Sequence, residues 1–449
     1  MTRWRDLLRR VLSFACLYVL TAAATSTPAD YHVDYSVYHN YTSFLAHLAA
    51  LAAPDQQLSP YLSLYHHSTP THLNSTLYLV QLASPVTPST SFFATPSTSA
   101  SSSSTDRKLQ LLFSFGEHPR ELITIESFFD LVHNLTSPLT STDLPSDLPS
   151  SASASRLIPR PSCLSYGSQL STFLLSHLTL HFLPLLNPDG KRTMEQRGDP
   201  CQRHNARQVD INRNSAWEFG GDGSSGVVGH EEYRGSSAWS EVETQFFRDV
   251  VLPPSAAAQS DGAESPYVAY VSLHSGERQF FTPYVDTRSR QTKRLPPLSA
   301  AAAADVNAVG ERIMAATRGH FRDWGVGWQR NSYSADGTLY DWVSGAAHVK
   351  YTLCVEMYGE PVADNQPVPG CFVQFNPRPS ELAAQLERVR PLYVSLMLGV
   401  IEREKGVRFE YVNYEQGLGV EERRRLERLC ELDRETRRLQ HIASVLAAG

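Results

Sequence analysis

Gly116-Glu117-His118-Pro119-Arg120-Glu121 lies between an apolar run at 109–115 and a run with helical spacing at 122–135. The first predicts a buried strand and the second a helix, so the hexapeptide is a strand-to-helix turn. A histidine and a glutamate three residues apart on such a turn can aim an imidazole nitrogen and a carboxylate at one point. That is two thirds of a catalytic metal site. The pair alone fits equally well a helix N-terminus with an acidic first turn, where the helix dipole stabilises a carboxylate. A third ligand must come from elsewhere.

Other apolar runs end in polar residues in the same way. Asn187-Pro188-Asp189-Gly190, a turn sequence, closes 178–186; His274-Ser275-Gly276 follows 267–273; Glu356 follows 349–355. Between them lies Val209-Asp210-Ile211-Asn212-Arg213-Asn214. The spacing predicts helices over 31–53, 164–177, 241–251, 306–321 and 380–401, and a further strand over 75–83. Strands alternating with helices imply an α/β domain with a mainly parallel central sheet and helices on both faces. Sites in such sheets gather at the carboxyl ends of the strands, so His118, the 187–190 turn, His274 and Glu356 are expected to share one cleft.

In this order the motifs resemble the zinc carboxypeptidase family (M14 metallocarboxypeptidases), over about 34–400. The resemblance implies that family's α/β fold, with a mixed, largely parallel central sheet and helices on both faces, one zinc per chain, and hydrolysis of the C-terminal peptide bond of peptides or proteins. It implies His118, Glu121 and His274 as metal ligands and Asp210 as the carboxylate that orients His118. Glu356 matches the general base that takes a proton from the attacking water and delivers it to the leaving amine. Arg203 matches the arginine that polarises the scissile carbonyl, with Arg207 a neighbouring alternative. Asn212 and Arg213 match the pair that grips the substrate's terminal carboxylate, to which a planar guanidinium is suited.

Tyr333 matches the family's mobile tyrosine, and Tyr340, seven residues on, the base of its specificity pocket. An acidic residue there selects Lys or Arg, so a tyrosine implies release of neutral, apolar or aromatic residues. Between Tyr333 and Glu356 this chain has one residue more than the digestive enzymes, which leaves Asp341 and Asp336 as alternative occupants of the pocket. Two other functions stay open: a catalytically inactive secreted peptide-binding module of the same fold, and an amidase acting on a non-standard (cell-wall) peptide.

The formal net charge of -6 over 449 residues gives no basic domain for a nucleic-acid partner. Arg3, Arg5, Arg9 and Arg10 precede an apolar stretch at 11–20 and small residues at 21–24, which predicts a signal peptide over 1–24. The stretch is shorter than the roughly 20 residues of a spanning helix. A secreted or secretory-lumen protein without stable membrane insertion is expected, and sequons at Asn40, Asn74 and Asn134 are compatible with glycosylation. Five cysteines outside the signal allow one or two disulfides in an oxidising compartment, with the pairing open. Ser/Thr/Pro-rich inserts at 84–106 and 136–162 interrupt a catalytic domain at 30–404, and 405–449 is a charged, helical tail. The first helix, first strand and first insert occupy most of 24–118, which leaves no room there for an inhibitory pro-segment, and the tail none for an all-β domain. Activity is therefore expected once the signal is removed.

Overall fold

A computed structural model describes residues 33–53, 61–84, 107–140, 163–253, 265–359 and 370–409. The predicted signal segment, nearly all of the first insert, most of the second and the tail beyond 409 lie outside the described residues.

Among these residues, eight strands form one sheet: β1 (Leu62–His66), β2 (Tyr78–Leu82), β3 (Leu109–Ser114), β4 (Leu178–Leu183), β5 (Tyr267–His274), β6 (Arg278–Thr282), β7 (Asp323–Val326) and β8 (Tyr351–Met357), in the order β1-β2-β4-β3-β5-β8-β6-β7. The centre, β4-β3-β5-β8, is parallel; β1 and β2 add antiparallel on one side and β6 runs antiparallel to β8 on the other. The sheet is thus mixed and largely parallel, as expected. Its principal helices are α1 (Tyr41–Leu51), α2 (Leu122–Thr140), α3 (Cys163–His177), α4 (Pro188–Arg197), α5 (Val242–Val251), α6 (Ala300–Ala316), α7 (Leu339–Gly345) and α8 (Leu382–Lys405).

Side chains alternate across a strand, and the central strands bury both faces. Leu111 and Phe113 of β3, Val271 and Leu273 of β5 and Leu353 and Val355 of β8 enter one core with residues of α2 and α8. Leu112, Tyr270 and Cys354 point the other way, into a core with Phe247 of α5 and Val343 of α7. Each large apolar side chain so buried contributes about 1.5–3 kcal/mol, so a one-residue slip that exchanged the faces would forfeit many such terms at once. Beyond that second core the even-numbered face turns polar: Ser114, Ser272, His274 and Glu356 continue it. His274 and Glu356 are direct neighbours in the β5–β8 register. Strand pairing alone therefore puts an imidazole beside a carboxylate at the carboxyl end of the sheet.

Several boundaries differ from the sequence reading, and the helix expected over 31–53 spans only Tyr41–Leu51, with Asn40 capping it by accepting from Ser43 N. Ser299 caps α6 by accepting from Ala302 N, and the alanine run after it starts the helix earlier than the apolar spacing suggested. The left-handed Arg318 and Gly319 follow its end. The 187–190 turn is also a helix start: Asn187 accepts from Gly190 N, and Pro188 opens α4 with its ring set for a helical φ. Helix α2 continues to Thr140, past the expected start of the second insert at 136.

Candidate active site

The turn that carries His118 and Glu121 is fixed from several sides. Gly116 has φ +63°, and a Cβ there would come within 2.7 Å of Leu185 Cδ1, so a larger residue would both strain the backbone and clash. Arg120 N donates to Gln202 O (3.1 Å). Asn376 grips the same turn, its Oδ1 accepting from Ile123 N (3.0 Å) and its Nδ2 donating to Arg120 O (2.7 Å). Gln202 and Asn376 flank the two ends of a disulfide, Cys201–Cys371, with Cα atoms 5.2 Å apart. Cys354 is buried as a free thiol.

His118, Glu121 and His274 each offer a ligand atom, and these atoms lie within 4.8 Å of one another. Glu121 bridges the two rings, Oε1 to His118 Nδ1 at 2.7 Å and Oε2 to His274 Nδ1 at 3.0 Å. All three side chains are buried. Burial opposes charge on Glu121, yet the adjacent His118 and His274 hold its pKa below the ordinary carboxylate range. Burial likewise opposes charge on His274, and Glu117 and Glu121 outweigh it, so its pKa stands well above normal. Two imidazole nitrogens and a carboxylate oxygen, each ring with a polar partner on its other nitrogen, form a donor set suited to zinc.

Asp210 lies behind His118, its Oδ1 3.2 Å from Nε2, and it serves more groups than that ring. Its carboxylate also accepts from Asn212 N (3.0 Å) and from Arg203 Nε (2.8 Å), and Arg213 NH1 is 3.9 Å away. Burial would raise its pKa, but Arg203, Arg213 and His118 hold it well below the usual range. Asn212 Nδ2 is 3.1 Å from His274 Nε2, and its Oδ1 accepts from Leu339 N. Arg213 is buried and donates from NH1 to Asn212 O, while its Nε makes no hydrogen bond among the described residues. Arg207, the alternative to Arg203, is half-exposed and lies 3.6 Å from Glu241, away from these groups.

Every site residue expected from the sequence except Asp210 lines one cleft of ≈ 230 Å³. Glu356 Oε2 is buried there without a hydrogen-bond partner among the described residues. Burial, reinforced by the neighbouring Glu121, raises its pKa above the carboxylate range. Tyr333 is half-exposed, and its backbone carbonyl accepts from Arg290. The cleft is also lined by Phe281, Val285, Ala335, Thr338, Tyr340 and Cys354. Asp341 is not among the lining residues; it accepts from Val285 N (2.9 Å). Asp336 is likewise turned away, accepting from Gly223 N and Thr287 N.

The sequence reading overlooked Glu117, Arg120 and Phe375, although an acid inside an otherwise buried turn was visible at Glu117. Arg120 and Phe375 both line the cleft, with the guanidinium 4.2 Å above the ring.

A family model described as zinc carboxypeptidase matches residues 56–388. The chain belongs to the zinc carboxypeptidase family. It is similar to a carboxypeptidase B of Astacus astacus, 25% identical over 213 residues, which cover 44% of this chain and 64% of that one. It is also similar to an inactive metallocarboxypeptidase, ecm14, of Talaromyces marneffei, 24% identical over 207 residues, covering 41% of this chain and 33% of that one. Both matches thus span less than two thirds of the relative's length. In fold it is similar to the crystal structure of carboxypeptidase A from Helicoverpa armigera, with a TM-score of 0.56 at 18% identity over 88% of this chain and 81% of that one.

Proposed function

We propose that this chain is an active zinc metallocarboxypeptidase that removes single C-terminal residues from peptides or proteins, preferring neutral or apolar ones. The observation that carries the reading is the pairing of Glu356 with the His118–Glu121–His274 cluster across one strand register, in a cleft that also contains Arg203 and Arg213. Zinc, one per chain and held by His118, Glu121 and His274, would supply Lewis-acid polarisation of the scissile carbonyl and of water. Glu356 is suited to hold the proton in transit, because a carboxylate raised by burial accepts a proton readily near neutral pH and passes it to the leaving amine. Arg203, fixed by Asp210, is positioned to stabilise the developing oxyanion. Arg213 and Asn212 would receive the terminal carboxylate, and Tyr333 would close over it from the mouth.

The substrate preference rests on the cleft lining. With Asp341 and Asp336 turned away, Val285, Ala335, Thr338 and Tyr340 offer no charge to a cationic side chain; the lining acids are Glu121 and Glu356 of the reaction site and Glu277, which accepts from Gln279. An unpaired charge desolvated there would cost several kcal/mol, on the order of a hundredfold or more in discrimination. The test is a set of peptides identical except for terminal Phe, Leu, Arg or Lys, with and without a chelator. Phe and Leu should be released faster, and only while metal is present. Faster release of Arg or Lys would contradict the assigned pocket; no release at all would favour an inactive binding module, a state named in the Talaromyces relative.

Zinc uptake should also depend on pH. Glu117 and Glu121 outweigh burial and favour the protonated form of His274 in the metal-free protein, a proton that the ion would displace. Apparent affinity should therefore rise with pH, by up to about tenfold per unit, until His274 titrates. Calorimetry in two buffers of different ionisation enthalpy would register the released proton; buffer-independent heats and pH-independent affinity would refute it.

Work in a secretory lumen or outside the cell is supported by the Cys201–Cys371 disulfide. No helix among the described residues is long and apolar enough to cross a membrane.

A further inference from the structure

Glu117 immediately precedes His118 and is fully buried. Its Oε1 accepts from Ser114 Oγ and Ser272 Oγ, both at 2.7 Å, with Tyr270 OH at 3.4 Å; Ser114 Oγ and Tyr270 OH are themselves 2.8 Å apart. Ser114 and Ser272 are opposite residues in the β3–β5 register, so the two strands deliver a donor from each side. No hydroxyl or amide among the described residues donates to Oε2, and His274 Nε2 is 3.1 Å from it. A buried carboxylate is expensive unless its charge is answered, and this one is answered by hydroxyls and by one ring.

His274 presents Nδ1 to Glu121, so its proton must reside on Nε2 if Nδ1 is to bind a metal. Three groups surround Nε2: Ser272 Oγ at 2.9 Å, Glu117 Oε2 at 3.1 Å and Asn212 Nδ2 at 3.1 Å. The Asn212 amide nitrogen is a donor and cannot receive an N–H. Ser272 can receive it while giving its own proton to Glu117. Both paths from the Nε2–H end on Glu117.

We infer that Glu117 is a positioning residue that fixes the tautomer and orientation of His274, as Asp210 does for His118, so that both ring ligands have a carboxylate behind them. The inference rests on the metallopeptidase reading above. Glu117→Gln keeps the shape but removes the charge: with its oxygen on the serines its N–H₂ faces the ring, and turned the other way it makes the serine hydroxyls reverse roles and leaves only a neutral acceptor for the Nε2–H. Zinc affinity, read by competition with a chromophoric chelator, should fall about 10- to 100-fold. The visible spectrum of the cobalt-loaded variant should shift, since the ligand field depends on the ring's orientation. Ser114→Ala, which removes a donor to Glu117 without touching His274, should weaken zinc by a smaller factor and keeps the test open should Glu117→Gln fail to fold. Folded variants with wild-type zinc affinity and cobalt spectrum would overturn the inference, leaving Glu117 a brace between β3 and β5. A wild-type protein that takes up no zinc would instead overturn the metallopeptidase reading, and this inference with it.

Discussion

Glu356→Gln is expected to retain zinc at wild-type stoichiometry and to lose about 10²- to 10⁴-fold in kcat, the range for removal of a general base. The amide has the carboxylate's shape and cannot take a proton from water. Stability should not suffer. Glu356 Oε2 is buried without a partner among the described residues, and the raised pKa means that the fold disfavours the charged form. Above that pKa the wild-type charge opposes folding in full, and as pH falls from it, about 8, to the ordinary carboxylate value the wild type gains what the neutral variant already has. Metal analysis, thermal melts and single-turnover rates on one preparation separate these terms. Wild-type-like turnover would remove Glu356 from the reaction.

Arg213→Ala should be nearly as damaging, by a different route. Arg213 is buried, its Nε has no acceptor among the described residues, and Glu232 is 3.5 Å from NH2, so much of its hydrogen-bonding capacity is unspent. A substrate carboxylate would use it, and losing one partner of a buried charge pair costs about 2–5 kcal/mol, or roughly 30- to 4,000-fold in kcat/KM. Peptides with an amidated C-terminus cannot use that contact and should lose little. The ratio of kcat/KM for free-acid over amidated peptides should therefore collapse in the variant. An unchanged ratio would assign the carboxylate to another group. Asp210 keeps Arg203 at 2.8 Å in either case, so the metal cluster should survive.

What the sequence revealed depended on how local the signal was. Strands β3, β5 and β8 were legible because each is an apolar run that ends in a polar residue, and a buried run with a charged end has few structural explanations. Glu356 stood out for that reason. Strands β6 and β7 are only five and four residues long, too short to impose a pattern, and β7, at the sheet's edge, has no fully buried residue. The start of α6 was missed because an alanine run favours helix without marking a face. The surroundings of Glu117 were out of reach for another reason: they join Ser114 to Ser272, and only strand pairing brings those residues together. The same holds for Cys201 and Cys371, which are 170 residues apart. The family resemblance pairs Asp210 with His118 alone, whereas the carboxylate serves two arginines and a backbone amide as well.

The Cys201–Cys371 bond also defines a covalent ring. It encloses α5, β5, β6, α6, β7, α7 and β8, and so contains His274 and Glu356; β3 and the turn with His118 and Glu121 lie outside it. Closing a loop of that length removes about 5 kcal/mol of chain entropy from the unfolded state. It does not by itself assemble the ligands, because two of the three belong to the part outside. They meet only when β5 of the ring docks along β3. A metal held by all three would therefore bind the docked state alone, which makes its affinity and the free energy of that docking a single linked equilibrium: the metal must tighten the seam by the same factor by which docking raises metal affinity, and a substitution far from the cleft weakens the metal to the extent that it populates the undocked state.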